Sequence, residues 1–318
     1  MNKKNTIYII IFSVLVLIYV LTKYVFVAKP ESNFNTDVLK IDTTQIASFS
    51  IQPKAEKDAI KLFKKDGVWF VKQANKQDKA SNEMVNELFK VFSQLKVENV
   101  VGLNQDKWKE FELTDSLATK LNIFDNSDHL IKSLYVGKFT YHQNNSNPYA
   151  RNNISGNTYV RLADDEKSFL VDGFLPMMLN RDFNQFRNNQ LLKFDKNKLS
   201  KITFKYPADT GFVISKKDSM LWLVNNSDTI KQNVIDNYLN SVSNVRNSSF
   251  EDNDKPSDGA LYSLNIESNG QQTVSLDFYK KDSISYFVHS SQFPDNYFIT
   301  KQNDLPKRLL KSVNFFKK

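Results

Sequence analysis

The chain holds no cysteine, three histidines, and only eight glycines and eight prolines among 318 residues. Each scarcity removes a class of chemistry. Without cysteine there is no disulfide framework, no thiolate nucleophile, no cysteine-held zinc and no lipid-bearing cysteine behind an N-terminal apolar segment. His129, His142 and His289 are spread too widely to suggest the clustered ligands of a zinc site. None stands beside a nucleophile in a recognisable pattern. The few glycines form no phosphate-cradling loop and no Gly-x-Ser-x-Gly elbow. Asp164-Asp165-Glu166 lacks the spaced oxygen ligands of a calcium loop and reads as a solvated turn. No catalytic residue, cofactor or metal is therefore assigned, and the chain is expected not to be an enzyme.

Long hydrophobic runs are scarce as well, with one exception. Residues Thr6 to Ala28 form an apolar span interrupted only by Lys23 and preceded by Lys3 and Lys4. At 1.5 Å per residue it reaches roughly 30 Å, enough to cross a bilayer. Cleavage after Ala28 would put Phe26 and Pro30 at positions where a signal peptidase needs small, unconstrained residues, so an uncleaved anchor is expected. Lys3, Lys4 and the terminal amine favour an inside N-terminus. Lys23 and Lys29 pull the other way, but long domains cross largely regardless of charge. The expected layout is a cytoplasmic tail at 1–5, a transmembrane anchor at 6–28 of the inner membrane, and a tether at 29–44. The bulk of the chain is then periplasmic or otherwise extracytoplasmic, in keeping with the absence of cysteine.

Beyond the anchor and tether, about 280 residues remain, room for one large or two small domains. Apolar content of 41% with 25 Phe and 13 Tyr is ample for a core, and the aromatic and β-branched bias favours strands. The formal charge of +8 would suit an anionic partner, yet the lysines form no dense block with interleaved aromatics. A lysine-rich solvated surface is the reading, with no nucleic acid partner.

One unit occurs twice. Alternating strands open at Ile46–Ile51 and Ile202–Tyr206. Each leads into a hairpin closing on a tryptophan, Leu62–Val71 around Trp69 and Val213–Val224 around Trp222. Asp66-Gly67 is a hairpin turn signal. An amphipathic helix follows in each copy. The first carries Met84, Leu88, Val91, Phe92 and Leu95 on one face, and the second carries Ile235, Tyr238, Leu239 and Val242. Ser81 is the expected cap of the first, and Thr229 with Gln232 the expected capping box of the second. Strands then begin at Leu121-Asn122-Ile123 and Leu264-Asn265-Ile266, turning at Asp125-Asn126-Ser127 and Ser268-Asn269-Gly270. They are followed by strands ending in Tyr135-Val136 and Asp277-Phe278-Tyr279. Each copy closes with a short helix, Leu175–Leu179 and Leu305–Leu309, with Asp172 and Asp304 as expected caps and proline in the first turn. The matched order predicts an α+β fold of two related halves, 45–180 and 201–318, joined by a linker at 181–200. Each half is an antiparallel sheet packed with one long and one short helix, behind the transmembrane helix.

Trp69 and Trp222 occupy matched positions and read as core, although exposed tryptophans would stack on sugars or peptides. Arg151 and Arg181 read as structural, donating to carbonyls or to Asp182. The Asn-dense segment 141–157 lies between two strands and has no counterpart of that length in the second copy.

Several of these segments together resemble the bacterial domain-of-unknown-function 4340 family. They are Val68-Trp69-Phe70-Val71, Phe111-Glu112-Leu113, Leu134-Tyr135-Val136-Gly137, Tyr149-Ala150-Arg151 with Thr158-Tyr159-Val160, and Asn180-Arg181-Asp182 through Leu191-Leu192-Lys193-Phe194. The resemblance covers about residues 45–250. Glu112 stands where the family pattern has glycine, which questions the local turn. The resemblance implies a membrane-anchored envelope protein with an ABC-transporter or gliding-type complex as partner, and no established chemistry. The expected function is a single-pass extracytoplasmic binding or scaffold protein. The alternatives are an envelope enzyme acting on glycan or peptide without a recognisable motif, and a ligand-binding module with a cleft between the halves.

Overall fold

The computed structural model describes residues 12, 14–16, 38–54, 56–143, 154–218 and 221–317. The chain opens with β1 (Ser48–Gln52), β2 (Ile60–Lys65), β3 (Val68–Gln73) and β4 (Lys76–Lys79), then α1 (Asn82–Gln94) and β5 (Val97–Gly102). β6 (Thr119–Phe124), β7 (Leu130–Gln143), β8 (Ile154–Leu162) and β9 (Ser168–Asp172) complete the first sheet. Two short helices, α2 (Leu175–Leu179) and α3 (Phe183–Phe186), and the strand β10 (Gln190–Lys193) lead to the second half. There β11 (Leu199–Lys205), β12 (Phe212–Lys216), β13 (Trp222–Val224) and β14 (Asp228–Ile230) precede α4 (Gln232–Val242). β15 (Asn244–Arg246), β16 (Phe250–Glu251), β17 (Tyr262–Ser268), β18 (Gln271–Lys280), β19 (Ser285–Ser290), β20 (Phe293–Lys301), α5 (Leu305–Leu309) and α6 (Val313–Phe316) follow.

Among the described residues, two nine-stranded sheets share one connectivity. The first runs β4-β3-β2-β1-β6-β7-β8-β9-β5, and the second runs β14-β13-β12-β11-β17-β18-β19-β20-β16. The ladders are antiparallel throughout. The fold is thus α+β with two sheet halves. Three hairpin turns carry two successive residues at positive φ: Asn225 with Asn226 begins the three-residue loop between β13 and β14, and Asp66 with Gly67 and Asn269 with Gly270 each fill a two-residue loop. In the two-residue loops this is the type I′ geometry that matches strand twist and that these residue pairs favour.

The helices explain the shape of the sheets. α1 leaves the β4 edge and delivers the chain to β5 on the opposite edge. Thirteen residues of helix span about 20 Å, whereas nine strands laid flat would span about 38 Å. The sheet must therefore curl around the helix. α1 buries Val85, Leu88 and Phe92 on that concave side, with Met84 and Val91 at the margins of the stripe. Phe49 lies at its centre, 5.7 Å from the Phe92 ring and 6.0 Å from Trp69. In the second half Ile235, Tyr238, Leu239 and Val242 of α4 play the same part. The Tyr238 hydroxyl donates to the Leu309 carbonyl at 2.8 Å, and its ring packs edge-on against Phe316. Trp69 and Trp222 are both buried.

Several expectations change. Ser81 caps α1 through the Met84 amide at 3.3 Å, as expected. The Thr229–Gln232 capping box does not form. Thr229 is taken into β14, the cap position falls to Lys231, and the Gln232 side chain donates to Asp236 instead. Asp172 ends β9, and Phe174 takes the cap position of α2. Asp304 does precede α5, but its side chain makes no capping bond. β7 does not end at Tyr135-Val136. It bulges there and runs on to Gln143. The 181–200 connector carries α3 and β10, and the last part of the 29–44 tether is core, with Leu39 and Ile41 buried. The second half also closes on α6, whose Phe316 is fully buried.

Most of the predicted anchor, Arg151 and the centre of the Asn-dense segment lie outside the described residues. Within the anchor, Phe12 and Val14–Val16 are helical. Among the described residues no helix is long and apolar enough to cross a membrane.

Candidate functional site

Two constellations stand out. The first gathers the sequence motifs on the side of the first sheet away from α1. Residues 105–113 wind into a short helical segment that ends at Glu112 with φ 59°. The Leu113 amide donates to Trp108 O at 2.7 Å and the Glu112 amide to Lys109 O at 3.3 Å. These are the two bonds of a Schellman cap, with glutamate at the left-handed position where glycine is cheapest. The turn questioned on sequence grounds is thus made, and Lys54 reaches the Glu112 carboxylate at 3.0 Å. Gly137 lies against it. A Cβ there would fall 2.1 Å from the Phe111 carbonyl oxygen, to which the Lys138 amide donates at 3.1 Å.

The Tyr159 ring stacks on Phe111 at 4.2 Å, and Arg161 donates to the Leu113 carbonyl at 2.9 Å. The Arg161 guanidinium is sandwiched between Trp108 and Tyr135, at 3.8 and 3.6 Å from the ring centres. Burial pushes its guanidinium down from its ordinary value. Arg161 was missed in the sequence, although Tyr159-Val160-Arg161 is itself a Tyr-x-Arg run. The cluster is closed and aromatic. It pins the 103–118 excursion to the sheet.

The second constellation sits where the halves meet. Asp182 caps α3 in a reciprocal box with Gln185, and Phe183 and Phe186 anchor it in the first core. The chain then becomes extended at Arg187, which is stitched to the corner between β4 and α1. The Ser81 amide donates to Phe186 O, and the Asn188 amide donates to Lys79 O at 2.8 Å. This delivers Arg187, 3% exposed, into the junction. Its Nε and Nη2 donate to Asp78 of the first half at 2.7 and 2.6 Å. Its Nη1 lies 2.8 Å from Asp252 of the second half, and the guanidinium stacks 3.6 Å above the Phe250 ring. Asn296 accepts from Arg187 and donates to Asp78. Glu83 and Arg246 form a second ion pair between the halves, and β10 pairs with β15 beside it.

Beside this clamp opens a groove of about 570 Å³. Phe70, Asn75, Lys76, Gln77 and Lys79 line one wall, and Asp252, Asn253, Asp295 and Asn296 line the other. This groove is the candidate site.

The remaining sequence candidates do not converge. Arg181 donates to the Met177 carbonyl. His129 lies 3.3 Å from Asp125, and His289 contacts the Pro294 carbonyl. Asp165 caps the Lys167 amide within an exposed turn. Among the described residues no three His, Asp or Glu groups are placed to share a metal ion.

No curated protein and no solved structure matched the chain. A family model, Domain of unknown function (DUF4340), matches residues 69–265. The matched stretch runs from Trp69 in the first half to Asn265 in the second and takes in both constellations up to Asp252. It is more than half of the chain, and the chain belongs to the DUF4340 family.

Proposed function

We propose that the chain is a non-enzymatic binding scaffold of the cell envelope, held by residues 6–28 as a single-pass anchor in the inner membrane. The bulk of the chain is extracytoplasmic in this reading. Its proposed partner is an envelope protein, a component of an ABC-transporter or gliding-type complex, and nucleic acid is not a proposed partner. The observation that carries the reading is the Arg187 clamp. A buried cation engaged by carboxylates from both halves fixes the two sheets to one another, as suits a body that presents surfaces rather than one that opens and closes.

The test is affinity purification of the tagged full-length protein from membranes in mild detergent, followed by mass spectrometry. Reproducible recovery of a permease or ATPase is expected. Recovery of the protein alone overturns the transporter reading. Protease digestion of intact spheroplasts checks orientation, since an extracytoplasmic domain is cut and a cytoplasmic one is spared.

A second reading, a ligand module at the junction, is favoured by the groove itself. Small-molecule sites commonly have volumes of about 300–1,000 Å³ and lie at domain junctions.

A further inference from the structure

The chemistry of the groove lining narrows its ligand. Lys76, Lys79 and Arg187 face Asp78, Asp252 and Asp295, three cations against three carboxylates. Arg187 consumes Asp78 and Asp252, and Lys79 stands 3.9 Å from Asp295. No excess charge is left to select a strongly ionic ligand. Between these groups, Asn75, Gln77 and Asn253 project exposed amides that make no side-chain hydrogen bond within the described chain. Each amide offers donors and an acceptor. Phe70 lies among them, half-buried, backed by Phe63 at 5.8 Å in a stacked pair and placed opposite Lys79 across the ladder. An apolar ring beside uncommitted amides in a charge-balanced groove complements a ligand with a C–H face and a rim of hydroxyls.

We propose that the junction groove binds a neutral oligosaccharide, with Phe70 stacking on a sugar face and Asn75, Gln77 and Asn253 hydrogen-bonding hydroxyls. This rests on reading the groove as a ligand site. The groove is open to solvent and lined from both halves, so the fitting ligand is a stretch of chain rather than an enclosed monosaccharide. Bound there, it contacts both sheets, and the Arg187 clamp holds the two walls in register.

The experiment uses the full-length protein in detergent micelles. Calorimetric titration is run with a neutral panel of maltohexaose, cellohexaose, mannohexaose and hexa-N-acetylchitohexaose. A comparison panel holds oligogalacturonate and a mixed-sequence decapeptide. Binding of at least one neutral hexasaccharide is expected, weakened about tenfold by Phe70→Ala and by the doubly exposed pair Asn75→Ala with Gln77→Ala, and retained in Phe70→Trp. Far-UV circular dichroism and thermal unfolding confirm that each variant is folded. The double variant removes only surface amides, so it remains readable if Phe70→Ala is destabilised. Binding confined to the comparison panel, and weakened by the same variants, overturns the neutral oligosaccharide and keeps the groove as a ligand site. Binding of nothing in either panel, or neutral binding unchanged in every variant, overturns both.

Discussion

Asp78 and Asp252 are 174 positions apart in sequence, yet their carboxylates close on the same guanidinium, that of Arg187, at 2.6 and 2.8 Å. Removing one partner of a buried ion pair strands a charge and costs about 3–5 kcal/mol. Arg187→Ala is expected to lose about that much in urea unfolding. It should also split a single calorimetric transition into two, because the halves lose their shared clamp. Retention of one transition at unchanged midpoint would show that the remaining ion pairs between the halves, Glu83–Arg246 and Lys79–Asp295, suffice.

Glu112 sits at φ 59° in a Schellman cap. A non-glycine residue in the left-handed region costs about 1 kcal/mol, and the exposed Lys54 pair offsets only part of it. Glu112→Gly is expected to raise stability by about 0.5–1 kcal/mol in chemical denaturation. Gly137→Ala places a methyl against the Phe111 carbonyl and is expected to cost at least about 1–3 kcal/mol.

Ser168 Oγ is the one buried side-chain polar atom among the described residues without a hydrogen-bond partner. Its desolvation is uncompensated, so Ser168→Ala should be neutral or stabilising by up to about 1 kcal/mol. A drop in thermal midpoint would mean that the hydroxyl has a bound water as partner.

Glu251 ends the strand that leads into Asp252. The Lys281 ammonium donates to it at 2.9 Å and the Asn253 and Asp254 amides at 3.0 and 3.2 Å, holding its carboxyl below its ordinary value. The folded value lies under the unfolded one. The contribution is therefore complete above the unfolded value near 4.3 and is lost as pH falls through the folded value. Lys281, raised chiefly by the same hydrogen bond, keeps its share through neutral pH and loses it only when titrated above about 10.5. The gap in thermal midpoint between wild type and Glu251→Gln should be constant near pH 6–7 and close toward pH 3. A gap that widens in acid would reverse the assignment.

What the sequence made legible was local. Asp66-Gly67 and Asn269-Gly270 announce their turns because few residues tolerate two successive positive φ values. The apolar stripes of α1 and α4 show because burial follows the helical period. The Thr229 capping box failed because Thr229 is held in the ladder with β13 and the cap position falls two residues later, at Lys231. Arg187 was invisible for a different reason. Its partners come from β4, from the segment after β16 and from β20, and no spacing rule links residues that only tertiary closure brings together. Arg181, the first residue of the same linker, donates instead to the Met177 carbonyl.

The curled sheet also dictates an order of events as the chain is made. β5 has β9 as its ladder partner, and β9 ends at Asp172, some seventy residues later. Until that residue has emerged, α1 has a concave bed with one wall missing, and the edge of β5 is open to any other strand. Contacts so far apart form slowly. The sequential hairpins β1 to β4 can pair as they emerge, so it is β5 alone that waits, open to mispairing, for β9.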